Sequence, residues 1–457
     1  MTDFSALHVA LSGLRAAQVA MDTASHNVSN ANTPGFTRQR VNLSTNYPRY
    51  SPVGQLGLGV QVTDISRIRD NFLDVRFRMS SSANASVAAR SDLLSRAELI
   101  LAEPDLGVSV EMTKLWDAFE DLALNPPDEA SRVAVIEQLG TLASRVRSVA
   151  TGLDDLADDG RVALRSTIDE TNALLEQVAA LNISILDASA QSGGPPNDLM
   201  DKRDILLDEL STLVGATSTI EGNGSVRVSI GGISLVSGPT VRGLSFDAST
   251  DQIIHASGVA VVPGGEARGL QTAVTSDIPA MMSRLDTFAV DLATALNTTH
   301  AAGFTAAGAA GGDLLTYNAT RPALSLDVAV TSADQLAAAA SAGPPYPQFD
   351  ATTIEALADL RTGLSAAAGT RSLGDSYRSF VTALGQEVSS AMTSSETQAG
   401  LVAAAGLARD SAHGVSVDEE MVNLMEFQRM YEAAARVVTA VDQALDTVIN
   451  RMGVVGR

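Results

Sequence analysis

Both ends of the chain carry an apolar stripe at seven-residue spacing, and neither stripe has an evident partner in the residues beside it. In the first 31 residues Leu7, Leu14, Met21 and Val28 form one column. Ala10, Ala17, Ala24 and Ala31 form the column three residues on, with Phe4 and Leu11 as a flank. Apolar residues at alternating three- and four-residue steps draw one seam along a helix, and alanine in the second column lets a neighbouring helix come close. At the other end Leu424, Tyr431, Val438, Leu445 and Met452 make one column, and Phe427, Ala434, Val441, Val448 and Val455 the second, with no charge in either. Ser416 followed by Glu419 reads as a capping box, and Asp418 and Glu420 put negative charge in the first turn. A helix from about 418 to 452 would be roughly 50 Å long at 1.5 Å per residue. Such stripes fit core-facing helices of a bundle, or a coiled coil that projects from the body to assemble with other chains; spacing alone leaves both open. We expect the two terminal helices to pack together at one pole of an elongated molecule. The contact should run through the Leu7/Leu14/Met21 and Leu424/Tyr431/Val438/Leu445 columns.

The first helix has an enforced stop. In SHNVSNANTPGFTRQR (Ser25–Arg40), Asn30 and Asn32 precede Pro34, which disfavours helical geometry at Thr33. Pro34-Gly35 is the central pair of a type II turn. Arg38, Arg40 and Arg49 follow on an extended limb, either as contacts for acidic neighbouring subunits or as solvated arginines.

Between the ends the period changes several times. Residues 1–60 hold the first helix and its limb, and 61–215 read as a helical body. Within it Pro126-Pro127-Asp128 breaks and restarts the pattern, and PPNDLMDKRDILLDELSTLVG forms a third helix that Asp198 can cap. The charges of that helix (Asp201, Lys202, Arg203, Asp204, Asp208, Glu209) read as a solvated face. Over 216–275 the period falls to two: Val226, Val228 and Ile230 alternate with Arg227 and Ser229, and Gly231-Gly232 supplies a hairpin turn. This predicts an inserted antiparallel β domain. Helix returns over 276–302, with Met281, Leu285, Phe288, Leu292 and Leu296 on one stripe. A Gly-, Ala- and Pro-rich insert with strand-like runs such as ALSLDVAV spans 303–365, helix resumes over 366–414, and 415–457 is the terminal helix. The fold class is therefore α+β and multidomain: a terminal coiled coil, a helical-bundle body and small antiparallel β insertions, with both chain ends at one pole.

At 457 residues and 45% hydrophobic, the chain can bury sizeable cores, and aromatic residues at 4% favour helices packed through small side chains. A net charge of −22 argues against nucleic acid and against an anionic membrane surface, both of which need clustered Lys and Arg. Absence of cysteine excludes disulfides, thiolate metal sites and cysteine nucleophiles. No run reaches the ~18 apolar residues of a membrane span, and Asp3, His8 and Arg15 interrupt any leader-like core, so export without a cleaved signal peptide is expected. The five histidines are scattered without metal-ligand spacing, and no P-loop, G-x-G-x-x-G after a strand or G-x-S-x-G elbow occurs. Adjacent carboxylates such as Asp154-Asp155 and Asp158-Asp159 diverge on a helix. Nothing in the pattern calls for an enzyme, a metal or a cofactor.

Four stretches carry a family resemblance. SHNVSNANTPGFTRQR resembles the Asn-rich segment after the N-terminal helix of bacterial flagellar rod, hook and hook-associated proteins. GVSVDEEMVNLMEFQRMYEAAARVV (Gly414–Val438), PNDLMDKRDILLDELS (Pro196–Ser211) and GGEARGL (Gly264–Leu270), before a helix ending near LNTTHAAGF, are similar to the flagellar hook-associated protein 1 family. The resemblance implies a structural subunit at the hook–filament junction, outside the cell, and not an enzyme. It would form a ring at the hook tip in contact with hook protein and a second junction protein, after export through the flagellar channel with a cytoplasmic chaperone on its C-terminal helix. Residues 303–350 match no motif of that family. The alternatives are a rod or hook axial subunit, which would share only the termini, and a secreted self-assembling surface or adhesin protein, which would not need the Asn-Pro-Gly segment.

Overall fold

Residues 3–51, 54–103, 107–192, 194–342, 349–363 and 371–447 are described by a computed structural model of the chain. Helix α1 (Asp3–Ser29) stops where the sequence predicts. The Phe36 N–H donates to the Thr33 carbonyl and Gly35 takes φ +74°, which makes Thr33–Phe36 a type II turn around Pro34-Gly35. The limb then runs through β1 (Gln39–Thr45), a short ribbon of β2 (Arg49–Ser51) and β3 (Gly54–Leu56), and back through β4 (Val60–Arg67). β4 pairs antiparallel with β1 from Gln39↔Arg67 to Thr45↔Val60. Helical structure therefore starts after this strand, and not at residue 61.

Asp70 caps α2 (Asn71–Leu101), its carboxylate accepting from the Phe72 N–H. After α3 (Val108–Leu124) the Pro126-Pro127 break ends at Asp128, whose carboxylate accepts from the Ser131 N–H at 2.8 Å and starts α4 (Glu129–Ser192). α4 is one 64-residue helix, buried at Val135, Leu139, Leu142, Val146, Leu153, Leu164 and Leu175. At 1.5 Å per residue it is roughly 96 Å long and sets the length of the body. α5 (Asn197–Val214) follows, and Asp198 does not cap it.

The β section is two sheets. β5 (Thr217–Ile220), β6 (Val226–Ile230), β7 (Ile233–Ser237) and β8 (Thr240–Val241) form a meander in sequence order. Gly231 and Gly232 both take positive φ at its β6–β7 turn, and Val226, Val228 and Ile230 point into the core while Arg227 is exposed. β9 (Leu244–Asp247), β10 (Gln252–His255) and β11 (Ala260–Val261) form the second sheet, with β10 central. The stretch expected to stay β to residue 275 turns helical earlier, at α6 (Gly265–Thr272), which a π-helical segment over 273–277 joins to α7 (Ile278–Ala301).

The Gly/Ala-rich insert packs on the body. β12 (Leu315–Thr316), α8 (Pro322–Ser325), β13 (Asp327–Val328) and α9 (Thr352–Asp359) fold onto the body, with Leu314, Leu326, Leu336 and Ile354 fully buried. Three of the eight residues of the strand-like ALSLDVAV, Ala323 to Ser325, are therefore helix, and Asp327 and Val328 are strand. Polar groups of α7 organise it. The Asn297 amide donates to the Leu315 carbonyl and accepts from Leu314 and Leu315 N–H, and His300 Nε2 accepts from the Ala337 N–H at 2.8 Å. α10 (Leu373–His413) packs along α2, and α11 (Val417–Asp446) returns to α1. One continuous apolar core joins α2 to α10 and both larger sheets, so the β insert shares its core with the helices.

Candidate assembly interface and its anchor on the body

α1 packs on α11 and on the β1–β4 ribbon. Gly13 faces Ala434, and Asn27 bonds Glu420, so the two terminal helices run antiparallel. The small column makes the close contact: Ala10, Ala17 and Ala24 are buried, as are Ala16 and Ala20. Leu7, Leu14, Met21 and Val28 are only half-buried, and Leu11 is exposed. On α11, Leu424, Phe427, Val438, Val441 and Leu445 are half-buried and Tyr431 is exposed. Val448 and Met452 lie outside the described residues. The two terminal helices pair as expected, with the alanines the most buried positions of α1 and the large columns only partly covered. A single partner helix covers one flank of another, so the larger side chains keep open faces, joined by exposed Met421, Val422, Met425, Met430 and Val437.

A polar knot ties this pair to the limb. Asn27 is buried; its Nδ2 donates to the Gln39 carbonyl at 2.9 Å and to Glu420 Oε2 at 3.1 Å, and its Oδ1 accepts from the Gln39 N–H at 3.0 Å. Glu420, 3% exposed, also accepts from Arg38 Nε at 2.7 Å, while Arg38 Nη1 donates to Glu419 at 2.8 Å. The Arg38 N–H donates to the His413 carbonyl at 3.0 Å, which carries the connection to the end of α10. Arg38 is thereby spent inside its own chain and is not a free contact for a neighbour. Arg40 is exposed and has no ion pair among the described residues. The capping box is half-formed: Ser416 Oγ accepts from the Glu419 N–H, but the Glu419 carboxylate reaches Arg38 instead of turning back. Asn30 donates to the His26 carbonyl and accepts from Thr33 Oγ1, while Asn32 and Pro34 are exposed on the turn.

The larger correction is α5. Asp198, Asp201, Asp204 and Asp208 recur at steps of three, three and four along one helix face; Asp198 stays exposed, as do Lys202 and Glu209, but Asp201, Asp204 and Asp208 turn into the protein with Arg203. Gln39 Nε2 donates to Asp198 and the Thr37 N–H to Asp201, each at 3.0 Å. Arg67 Nη1 reaches Asp201 and Asp204 at 2.7 Å, and Arg69 joins Asp204 to Asp74. Arg78 and Arg409, from α2 and α10, both bind Asp208 at 2.6 Å. Arg409 also lies over the Phe77 ring at 3.7 Å. Limb, body and the helix leading to α11 therefore meet on one acidic ladder. Burial works against the charge on Asp74, but the Arg69 hydrogen bonds and charge outweigh it and hold the carboxyl below the usual range. Burial pushes His413 below the ordinary histidine value; its Nε2 accepts from the Asp70 N–H at 2.8 Å, which requires a neutral ring protonated on Nδ1, 3.9 Å from Asp74. No cluster of metal-ligating side chains occurs among the described residues.

These joint residues were hidden in the sequence because their partners are distant along the chain. Two signals were present. Glu420 stands one heptad before Phe427, in the apolar column, and the four aspartates share one helical face opposite the arginines of SRIRD (Ser66–Asp70).

Comparison with known proteins matches these parts separately. Residues 94–315 match the flagellar hook-associated protein FlgK helical domain. Residues 7–37 match the flagella basal body rod protein family, and 411–452 the flagellar basal body rod FlgEFG protein C-terminal family. Flagellar hook-associated protein 1 of Bacillus subtilis is 31% identical over 99% of this chain and 99% of its own length. The chain belongs to the flagellar hook-associated protein 1 family. The Escherichia coli family member is 26% identical over 98% of this chain. The flagellar hook junction protein FlgK of Burkholderia pseudomallei shares the fold, with a TM-score of 0.67 at 16% identity, covering 75% of this chain and all of that one. α1 with its turn and α11 are thus the segments similar to rod proteins, and the match to the FlgK helical domain runs from the end of α2 to the start of β12.

Proposed function

We infer that this chain, a structural component of the bacterial flagellum at the hook–filament junction, acts there as an assembly subunit through its terminal helix pair. The observation that carries the inference is the α1–α11 pair: its alanine seam is closed within the chain while its larger apolar side chains stay half open. Such a pair is completed by equivalent helices of neighbouring copies, giving a ring on the hook, with the hook protein beneath and a second junction protein above. Leu424, Phe427, Val438, Val441 and Leu445, together with Leu7, Leu14 and Met21, supply the contact. The polar knot and the acidic ladder hold the pair at a set angle on the body, so that the ring presents a uniform platform. Before assembly the same open stripe on α11 is what a cytoplasmic export chaperone would cover, and passage through the flagellar channel replaces a cleaved leader. The task is mechanical, and no step in it needs a catalytic group.

The test is a strain lacking this chain. Cells should build hooks and release flagellin unassembled, and the wild-type chain should restore filaments. Cells without hooks would favour the rod or hook subunit reading instead.

A further inference from the structure

The arginine–aspartate joint is not balanced. Arg67, Arg69, Arg78, Arg203 and Arg409 face only Asp74, Asp201, Asp204 and Asp208, an excess of positive charge in a chain of net −22. The excess sits on Arg203. It is 1% exposed, the largest fully buried side chain, and Nη1 donates only to neutral oxygens, Asn182 Oδ1 and the Gly224 carbonyl, both at 3.0 Å. Its Nε has no hydrogen-bond partner, and no carboxylate lies within ion-pair distance of it among the described residues. Burial, together with the repulsion of Arg67, Arg69 and Arg78, outweighs the pull of Asp204 and pushes the guanidinium down to about 10. An ion in that state is expensive to keep without a counter-charge.

Arg203 lines a cleft of about 540 Å³ between the end of β4, the first turns of α2, α5 and the edge strand β5. Arg67, Arg69 and Arg78 line the same cleft together with the carboxylates of Asp74 and Asp204, so four guanidiniums face two carboxylates there; Ser218, whose hydroxyl accepts from Arg78 Nη1 at 2.9 Å, adds an O–H donor on β5. Arg67 uses Nη1 for both of its carboxylates, which leaves the rest of its fork without a partner among the described residues. Four guanidiniums on one cleft, with a surplus of charge over its two carboxylates and with unpartnered nitrogens on Arg67 and Arg203, are the chemistry that holds a tetrahedral oxyanion. We propose that this cleft is an oxyanion site, taking a phosphate- or sulfate-sized dianion between Arg203, Arg67 and Arg78 with help from the Ser218 hydroxyl. The volume exceeds one such ion, so water shares the space. A bound anion would tie the limb to α2, α5 and β5, stiffening the joint between terminal helices and body. The site is independent of the assembly role argued above.

The full chain is melted in chloride, phosphate, sulfate or acetate at matched ionic strength. Phosphate and sulfate should raise the midpoint by about 2–4 °C, saturating in the millimolar range, with acetate and chloride lacking the saturable part. Salting effects rise without saturation and serve as the background. Arg203→Gln should keep that background and lose the saturable rise. A parallel saturable rise in the variant would overturn the proposal. Should Arg203→Gln fail to fold, Ser218→Ala should fold and shift the phosphate midpoint several-fold upward; an unchanged midpoint counts against the site. Broadening of the phosphate ³¹P resonance by wild-type protein needs no variant, and a line that stays sharp at millimolar phosphate refutes the proposal outright.

Discussion

Glu420→Ala should detach the terminal helix pair while leaving the body folded. The wild-type carboxylate is buried and accepts from Arg38 Nε and from Asn27 Nδ2, at 2.7 and 3.1 Å. Removing one member of a buried ion pair costs about 3–5 kcal/mol when the other charge is left stranded. Here the stranding is partial: Arg38 keeps Glu419 and its side chain is 22% exposed, and Asn27 keeps the Gln39 carbonyl. The discount brings the expected cost to about 2–3 kcal/mol. None of these partners belongs to the continuous body core, so the loss should appear as local opening and not as a lower global melting point. Amide exchange measured by mass spectrometry on soluble monomer should accelerate about 30- to 150-fold over residues 16–29 and 417–435. Peptides from α4 should exchange as in wild type. Glu420→Gln, which keeps the shape and one hydrogen-bond acceptor, should fall between. If Glu420→Ala leaves exchange over 16–29 unchanged, or accelerates it equally everywhere, the knot does not anchor the pair and the reasoning fails.

Gly35→Ala should cost more than the ~1 kcal/mol of a left-handed backbone, because its Cβ would also lie 2.5 Å from the Ile205 side chain; adding Ile205→Ala should recover the steric part only, as read by urea unfolding. The joint should loosen in mild acid. His413 has a folded pKa below its unfolded one, so its contribution is complete above pH ~6.5 and is lost as pH falls through the folded value. Asp74, also depressed, adds a second loss at still lower pH. Amide protection at the start of α11, corrected for the pH dependence of intrinsic exchange, should therefore fall between pH 7 and pH 5 in wild type and stay flat in His413→Gln, which cannot gain the charge. Leu445→Asp puts a carboxylate on the half-open seam of α11 and should abolish capping of isolated hooks while the thermal unfolding of the body stays near wild type. Hooks capped as well as by wild type would show that the seam is not the assembly surface.

The local features of this chain were legible because local chemistry decides them. Pro34-Gly35 can only turn, Gly231-Gly232 can only close a tight hairpin, and alternation from Val226 to Ile230 can bury only one face of a strand. Heptad spacing likewise put α1 and α11 on the map and named the stripe of each. What periodicity does not carry is the identity of the neighbour. It marked Leu7 and Leu14 beside Ala10 and Ala17, but only packing shows that the alanines are the more deeply buried. Residues 303–365 looked loose since glycine and alanine give weak signals, yet Leu314, Leu336 and Ile354 find the end of the body and complete its core. Charge was the least readable. Asp201, Asp204 and Asp208 look like any solvated helix face until Arg67, Arg69, Arg78 and Arg409 arrive from 126 to 201 residues away. A buried carboxylate differs from an exposed one only by its partners, and the fold, not the residue, brings those partners.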